Sequence, residues 1–174
     1  DNIAMNAGSR EFKDVVIEKS YFGWGHGCSI GSMTQAGLKN ITVRDTVWNG
    51  TSAGIRVKSY VGGGGDVEIS GQNLTLHGVE NPIDLDQHYP RPCVPHCNAT
   101  RKPAYKVELF SMHADGIPKA DLGPYLNGSS TADGRSVAIV LTVSNSTFTT
   151  ADGKPAAWRC ENAHIIAQDV SPMP

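Results

Sequence analysis

The sequence predicts an all-β fold, specifically a parallel β-helix, in which one chain coils through stacked strands. Short segments with alternating apolar residues recur at offsets of 25, 27 and 28 residues. A second series of strand patterns lies between them, and no helical pattern separates the two series. The chain also contains 19 Gly and 10 Pro residues, which favour short strands joined by turns over a helical bundle.

The first strand series defines the repeat. It consists of four segments, at residues 3–6, 28–31, 55–58 and 83–86. In each segment the first and third residues are apolar and the second and fourth are small or polar, which is the period of a strand with one buried face. Stacked turns of such strands would share a continuous core of Ile, Val and Leu.

The second strand series fills the rest of each turn. Its segments are 15–17, 41–43, 67–69 and 74–76, and apolar residues return at 137–143, 145–148 and 156–160. The Pro- and Gly-rich stretch at about 90–136 breaks the pattern, and we predict an irregular insertion there, within one domain that spans 1–174. A β-sandwich is the rival fold, but it gives no reason for the near-equal offsets.

Length, charge and hydropathy exclude several classes of protein. The chain has 174 residues, enough for one domain with a core. Its charged fraction of 18% and net charge of −2 do not fit a disordered tail or a general nucleic-acid binder. The longest strongly apolar stretch, 137–143, is too short to span a membrane. The chain opens without a targeting signal, so we expect a mature chain or a fragment.

The cysteines give only a weak indication of the redox compartment, since four Cys residues are few for a disulfide scaffold. Cys93 and Cys97 lie in a Pro-rich loop, where we predict a local disulfide. A zinc site that adds His96 is the alternative, but it lacks a fourth ligand and a standard spacing. We therefore predict neither a metal nor a cofactor.

Asparagine gives a stronger indication of the compartment. Six of the ten Asn residues begin an Asn-X-Ser/Thr triplet, namely Asn40, Asn49, Asn73, Asn98, Asn127 and Asn145. This density is typical of a glycosylated protein, and we predict a secreted, extracellular location. The alternative is that some of these triplets, at Asn40, Asn73 and Asn145, simply begin strands after turns.

The repeat converts sequence offsets into neighbours on one outer surface. Equivalent positions in successive coils lie about 4.8 Å apart. One predicted outward column holds Ser29, Arg56 and Asp84, and the next holds Gly31, Lys58 and Asp86. Asp1 and His26 share a third column, because each precedes the first apolar residue of its strand by two positions. Solenoids use such faces as extended binding surfaces.

These side chains suit an anionic ligand and proton transfer. Arg56 and Lys58 point the same way from one strand, and a guanidinium with an ammonium beside it fits a carboxylate. The alternative is a surface charge ladder, in which Asp84 and Asp86 neutralise the two cations. His26 lies between glycines that would let a ligand approach, and a carboxylate on Asp1 could act as a base or orient the imidazole.

Four segments in order resemble the polygalacturonases, the glycoside hydrolase family 28. Residues 1–8 resemble the family segment that begins with the second Asp of an Asp-Asp pair, residues 25–32 its Gly-His-Gly motif, residues 54–59 its Arg-Ile-Lys motif, and residues 81–89 the turn that ends in a Tyr on the substrate side. The resemblance implies a right-handed parallel β-helix and inverting hydrolysis of α-1,4 galacturonan in pectin. It also implies a pectic polysaccharide as partner, with no nucleic acid and no membrane.

The resemblance also implies roles for individual residues. Asp1 would help to activate the water, and His26 would support the catalytic carboxylates and their protonation. Arg56 and Lys58 would hold the galacturonate carboxylate, and Tyr89 would line the sugar site. Trp24, close to His26, is the best of the three Trp residues as a platform for sugar stacking.

The sequence departs from the family pattern in two ways. The first Asp of the pair and an Asn-Thr-Asp motif are absent, so we expect the C-terminal part of a longer enzyme, incomplete at its N-terminal end and inactive without the missing part. Asn2 stands where the family has Cys, so we expect Cys28 to be a buried free thiol. A rhamnogalacturonan or xylogalacturonan hydrolase is an alternative, and so is a carbohydrate-binding β-helix without catalysis.

Overall fold

The computed structural model describes residues 1–33, 36–61, 65–92, 104–129 and 138–174. Within these ranges the chain forms thirteen strands and no helix, so the described part contains no helix able to cross a membrane. The strands are β1 (Ile3–Met5), β2 (Phe12–Glu18), β3 (Tyr21–Gly23), β4 (Cys28–Met33), β5 (Leu38–Asn49), β6 (Ala53–Val61), β7 (Val67–His77), β8 (Asn81–Pro92), β9 (Tyr105–Ile117), β10 (Tyr125–Asn127), β11 (Ile139–Thr150), β12 (Arg159–Glu161) and β13 (Ala163–Ser171).

The strands stack into two sheets, and the chain passes alternately between them. The first sheet has the order β1-β4-β6-β8-β10-β12, and the second has the order β13-β11-β9-β7-β5-β2, with β3 also paired to β5. Neighbouring strands in both sheets are parallel. The predicted all-β parallel β-helix is confirmed.

The register in the first sheet follows the sequence repeat. Ile3 pairs with Cys28, Cys28 with Ile55, and Ile55 with Ile83. A second inward column, composed of Met5, Ile30, Val57, Leu85 and Leu126, is buried throughout. Cys28 is a buried free thiol, as predicted, and burial raises its pKa to about 12. The core is therefore continuous along the stack, and each coil covers the apolar side chains of the one before it.

The second sheet bends along one column of residues, which includes one residue of each of the strands β5, β7, β9, β11 and β13 and a residue of the turn between β2 and β3. These residues have a left-handed backbone, with φ values of 47–56°, and form a column: Lys19, Asp45, Asn73, Ser111, Asn145 and Asp169. Asn and Asp tolerate this conformation better than most residues. The Nδ2 of Asn73 donates a hydrogen bond to Oδ1 of Asp45 on the adjacent coil, 2.7 Å away. The alternative explanation of the Asn triplets, that Asn40, Asn73 and Asn145 begin strands after turns, is wrong, because all three lie inside strands at residues with a left-handed backbone.

The prediction of an irregular insertion at 90–136 is wrong for two segments. The longest strand, β9, lies in this range and pairs with β7 and β11, and β10 pairs with β8 and β12. Tyr105, Val107 and Leu109 alternate inward along β9, but Lys106 and Glu108 between them lower the apolar density. The coil is also longer than the others, since His77 and Asp115 are neighbours at a separation of 38 residues.

Several predictions fall on residues outside the described ranges. Cys93, His96, Cys97 and Asn98 are among these residues, so the disulfide and the alternative zinc site stay predictions. Within the described ranges, no group of three or more His, Cys, Asp or Glu side chains could hold a metal ion.

Candidate active site

The outward face of the first sheet brings together the predicted site residues. Ser29 pairs with Arg56, and Arg56 pairs with Asp84, so the first predicted column exists as described. Lys58 pairs with Asp86 in the second column. The prediction that Gly31 belongs to this column is only partly right. The register shifts after Ile30, so that both Gly31 and Ser32 lie opposite Lys58.

Asp1 and His26 form a pair at one end of this face. The Nδ1 atom of His26 lies 3.0 Å from Oδ1 of Asp1. The side chain of Asn2 holds the loop that carries His26. Its Oδ1 accepts a hydrogen bond from the backbone N–H of Gly27, and its Nδ2 donates one to the carbonyl oxygen of Gly23. This positioning role of Asn2 is not predictable from the motif, because the sequence marks Asn2 only as a departure from it.

The glycine after His26 is required by a close approach of two coils. Gly27 has a φ of +71°, and a Cβ atom at this position would lie 2.0 Å from the carbonyl oxygen of Ala53. No other residue fits there without moving the backbone. The backbone beside His26 therefore lies close to the next coil, while 57% of the His26 side chain stays exposed.

Two cations near His26 disfavour its protonation. Partial burial lowers the pKa of the imidazole below its usual 6.5, and Arg56 and Lys58 lower it further. The two cations on β6 are thus close enough to act electrostatically on the Asp1–His26 pair. A neutral imidazole beside a carboxylate can accept or relay a proton near neutral pH.

Arg56 and Asp84 form a largely buried ion pair. The Nε atom of Arg56 lies 2.9 Å from Oδ2 of Asp84, and the side chains are only 18% and 14% exposed. Burial raises the pKa of Asp84, and Asp86 adds to the rise, while Arg56 opposes it. Arg56 therefore has the internal carboxylate partner that the charge-ladder alternative expects, at its Nε atom.

Lys58 differs from Arg56 because it has an aromatic partner and no ion pair among the described residues. Its Nζ atom lies 4.9 Å from the centroid of the Tyr89 ring, a cation–π contact. The guanidinium carbon of Arg56 lies 5.7 Å from the same ring. Burial lowers the pKa of Lys58, and Arg56 lowers it further, while Asp84 opposes the shift. Lys58 thus presents a partly desolvated ammonium group beside an aromatic ring.

Sequence reasoning missed a hydrogen-bond network next to these cations. Asp86 Oδ1 accepts hydrogen bonds from Nδ2 of Asn127, at 3.0 Å, and from the backbone N–H of His88, at 2.9 Å. Nδ1 of His88 lies 3.2 Å from Oδ1 of Asn127. Sequence reasoning did not place Asn127 on this face, because Asn127 lies in the range predicted to be an insertion. The network holds the Asp86 carboxylate by hydrogen bonds to uncharged groups.

The site therefore combines two kinds of chemistry on one face. A carboxylate and an imidazole can handle a proton at one end, and two cations under an aromatic ring can hold a planar anion beside them. Trp24, on the loop before His26, is 90% exposed and leaves its ring free for contact with a ligand. Tyr60 packs against the other side of the cluster, with its ring centroid 6.0 Å from that of Tyr89.

Several known proteins are similar to this chain. The Exopolygalacturonase of Platanus acerifolia is 30% identical over 129 residues, which cover 71% of this chain and 32% of that protein. The Endo-polygalacturonase of Pectobacterium carotovorum subsp. carotovorum is 39% identical over 51% of the chain and 23% of that protein, and the Polygalacturonase of Prunus persica is 43% identical over 42% and 20%. The chain thus spans about a third or less of the length of these relatives.

No solved structure matches the chain. The family model for the glycosyl hydrolases family 28 matches residues 1–167, nearly the whole sequence and both sheets of the stack. The chain therefore belongs to the glycosyl hydrolases family 28.

Proposed function

We propose that the protein carrying this chain hydrolyses α-1,4 bonds between galacturonate units of pectin. The observation that carries the proposal is the cluster of Lys58, Arg56 and Tyr89 next to the Asp1–His26 pair. Lys58, a partly buried cation with no ion-pair partner among the described residues, is suited to an anion from outside, and the aromatic ring beside it offers an apolar face to a sugar. The family of the chain and the names of its relatives agree with this substrate.

The proposed mechanism is an inverting displacement, which needs a general acid on the leaving oxygen and a base that activates water on the opposite side of the sugar. Asp1 would help to activate the water. His26, 3.0 Å from Asp1, would hold the carboxylate in place and support its protonation state. Arg56 and Lys58 would bind the carboxylate of the sugar next to the cleaved bond, and Tyr89 would pack against that sugar.

The general acid is expected outside the sequence given, at the position immediately before Asp1, which is the first of the family's Asp pair. The isolated chain would then bind substrate without cleaving it. The location of the protein is also part of the proposal: six Asn-X-Ser/Thr triplets support secretion into the cell wall space, where pectin occurs.

A reducing-sugar assay of the full-length protein on polygalacturonate tests the proposal. Lys58→Ala is the decisive variant, since it removes the ammonium group without leaving a buried carboxylate unpaired. We expect kcat/KM to fall about 10- to 100-fold, the equivalent of one charge-assisted hydrogen bond of about 1.5–3 kcal/mol. Lys39→Ala is the matched control, because Lys39 pairs with Glu11 on the second sheet, away from the candidate site.

Two results would contradict the proposal. One is a full-length protein that is folded but releases no reducing sugar from polygalacturonate. The other is a Lys58→Ala variant with the same kcat/KM as the Lys39→Ala control. A protein that binds the polymer but does not cleave it would favour the carbohydrate-binding alternative.

A further inference from the structure

A second cationic position lies farther along the face that carries the candidate site. The outward column that holds Ser29, Arg56 and Asp84 continues through Tyr125 of β10 to Arg159 of β12. Arg159 therefore lies on the same face as Arg56, three strands away, which is about 14 Å along the stack.

Arg159 is held in place by uncharged groups. Its Nη2 atom donates a hydrogen bond to Oδ1 of Asn81, 2.5 Å away, and its guanidinium carbon lies 4.8 Å from the centroid of the Tyr125 ring. These contacts fix the plane of the guanidinium and reduce the conformational entropy that binding would otherwise cost.

The charge of Arg159 has no internal counterpart in the described part of the chain. None of the ion pairs among the described residues includes Arg159, whereas Arg56 has Asp84 and Arg44 has Glu18. Its Nε atom is enclosed and has no hydrogen-bond partner there. Two carboxylates of this face are already bound, Asp84 to Arg56 and Asp86 to Asn127 and His88. A fixed and unpaired guanidinium is suited to a carboxylate from a ligand.

We propose that Arg159, with Tyr125 and Asn81, forms a second carboxylate-binding position for a distal uronate of the same polysaccharide chain. The proposal rests on the proposed function, since it assumes that a polyuronate lies along the first sheet. The Tyr125 ring packs beside the sugar, and Arg159 binds its carboxylate. One sugar cannot reach both Arg56 and Arg159, so the second position contributes only to the binding of longer chains.

Calorimetric binding of galacturonate and of oligogalacturonates of increasing length to the full-length protein tests the proposal. We expect Arg159→Gln to leave the Kd of the monomer unchanged and to raise the Kd of oligomers beyond a threshold length about 10-fold, the loss of one charge-assisted contact. Tyr125→Ala acts in the same direction. Arg44→Gln is the matched control, because Arg44 pairs with Glu18 on the second sheet.

Methyl-esterified oligomers distinguish carboxylate recognition from other contacts. If Arg159 binds a carboxylate, wild type and Arg159→Gln bind the esterified oligomers with equal Kd. The proposal is overturned if Arg159→Gln binds every length of free acid like wild type, or loses affinity equally for the monomer and the long oligomers. Either result leaves the proposed function standing, as long as wild type binds the longer oligomers. A wild type that binds no uronate of any length overturns the proposed function as well.

Discussion

At the scale of single residues, the cations around His26 have a measurable effect on its titration. Because burial, Arg56 and Lys58 all lower its pKa, we expect the imidazole to titrate below 6.5 in the folded protein. Lys58→Met removes one cation, so it should raise the pKa of His26. An NMR titration of the imidazole resonances measures both values.

The control for this titration is Arg44→Met, which removes a cation from the second sheet and should leave the His26 resonances unchanged. A pKa of His26 at or above 6.5, or one that does not respond to Lys58→Met, would contradict the electrostatic account. The lowered pKa also has a consequence for stability. The unfolded state binds more protons at His26 than the folded state below about 6.5, so the contribution of this group to stability decreases as the pH falls.

At the scale of the elements, the bends of the second sheet depend on residues that accept a left-handed backbone. Asn73 has a φ of 53° and donates to Asp45 of the adjacent coil. Asn73→Ala should lower the free energy of unfolding by about 1–2 kcal/mol, since a Cβ without a local hydrogen bond is strained there. Urea denaturation measures the change.

Asn73→Gly separates the two causes, because glycine removes the strain as well as the hydrogen bond. We expect the glycine variant to be more stable than the alanine variant and less stable than wild type. Equal stabilities of the alanine and glycine variants would show that backbone strain at the bend contributes nothing.

At the scale of the whole molecule, the position of a coil in the stack determines how much its core residues stabilise it. Leu141 and Ile165 pair in one inward column, but Leu141 is fully buried and Ile165, on the last strand, is only half-buried. Leu141→Ala should cost about 2–5 kcal/mol, as for a large-to-small change in a core. Ile165→Ala should cost clearly less, and thermal and urea unfolding of the two variants compares them. Equal losses would mean that the end of the stack is covered as well as its interior.

The sequence predicts the regular coils better than the long one. The offsets of Ile3, Cys28, Ile55 and Ile83 were enough to predict the fold, because a parallel stack forces equivalent residues into register. The same logic brought Arg56 next to Asp84 and Asp1 next to His26. The repeat did not predict β9, because the coil that contains β9 differs in length from the others. The pairing of β9 with β7 also depends on contacts that no local sequence pattern shows.

The candidate site was also predictable only in part. The repeat predicts which residues share the outward face, but it does not predict which side chains contact one another. Arg56 has an ion-pair partner and Lys58 has none among the described residues, and this difference depends on side-chain directions that a repeat cannot reveal. Arg159 and Asn127 were missed because they follow the long coil, where the sequence register is lost.

Parallel pairing fixes the spacing of side chains along the first sheet. Residues paired on successive strands lie one strand spacing apart, and the length of the loops between the strands does not alter that interval. The coil that contains β9 demonstrates this independence, since its additional residues leave Tyr125 still paired with Asp84. Loops can therefore lengthen and diverge while the distances between the paired residues of this face stay the same.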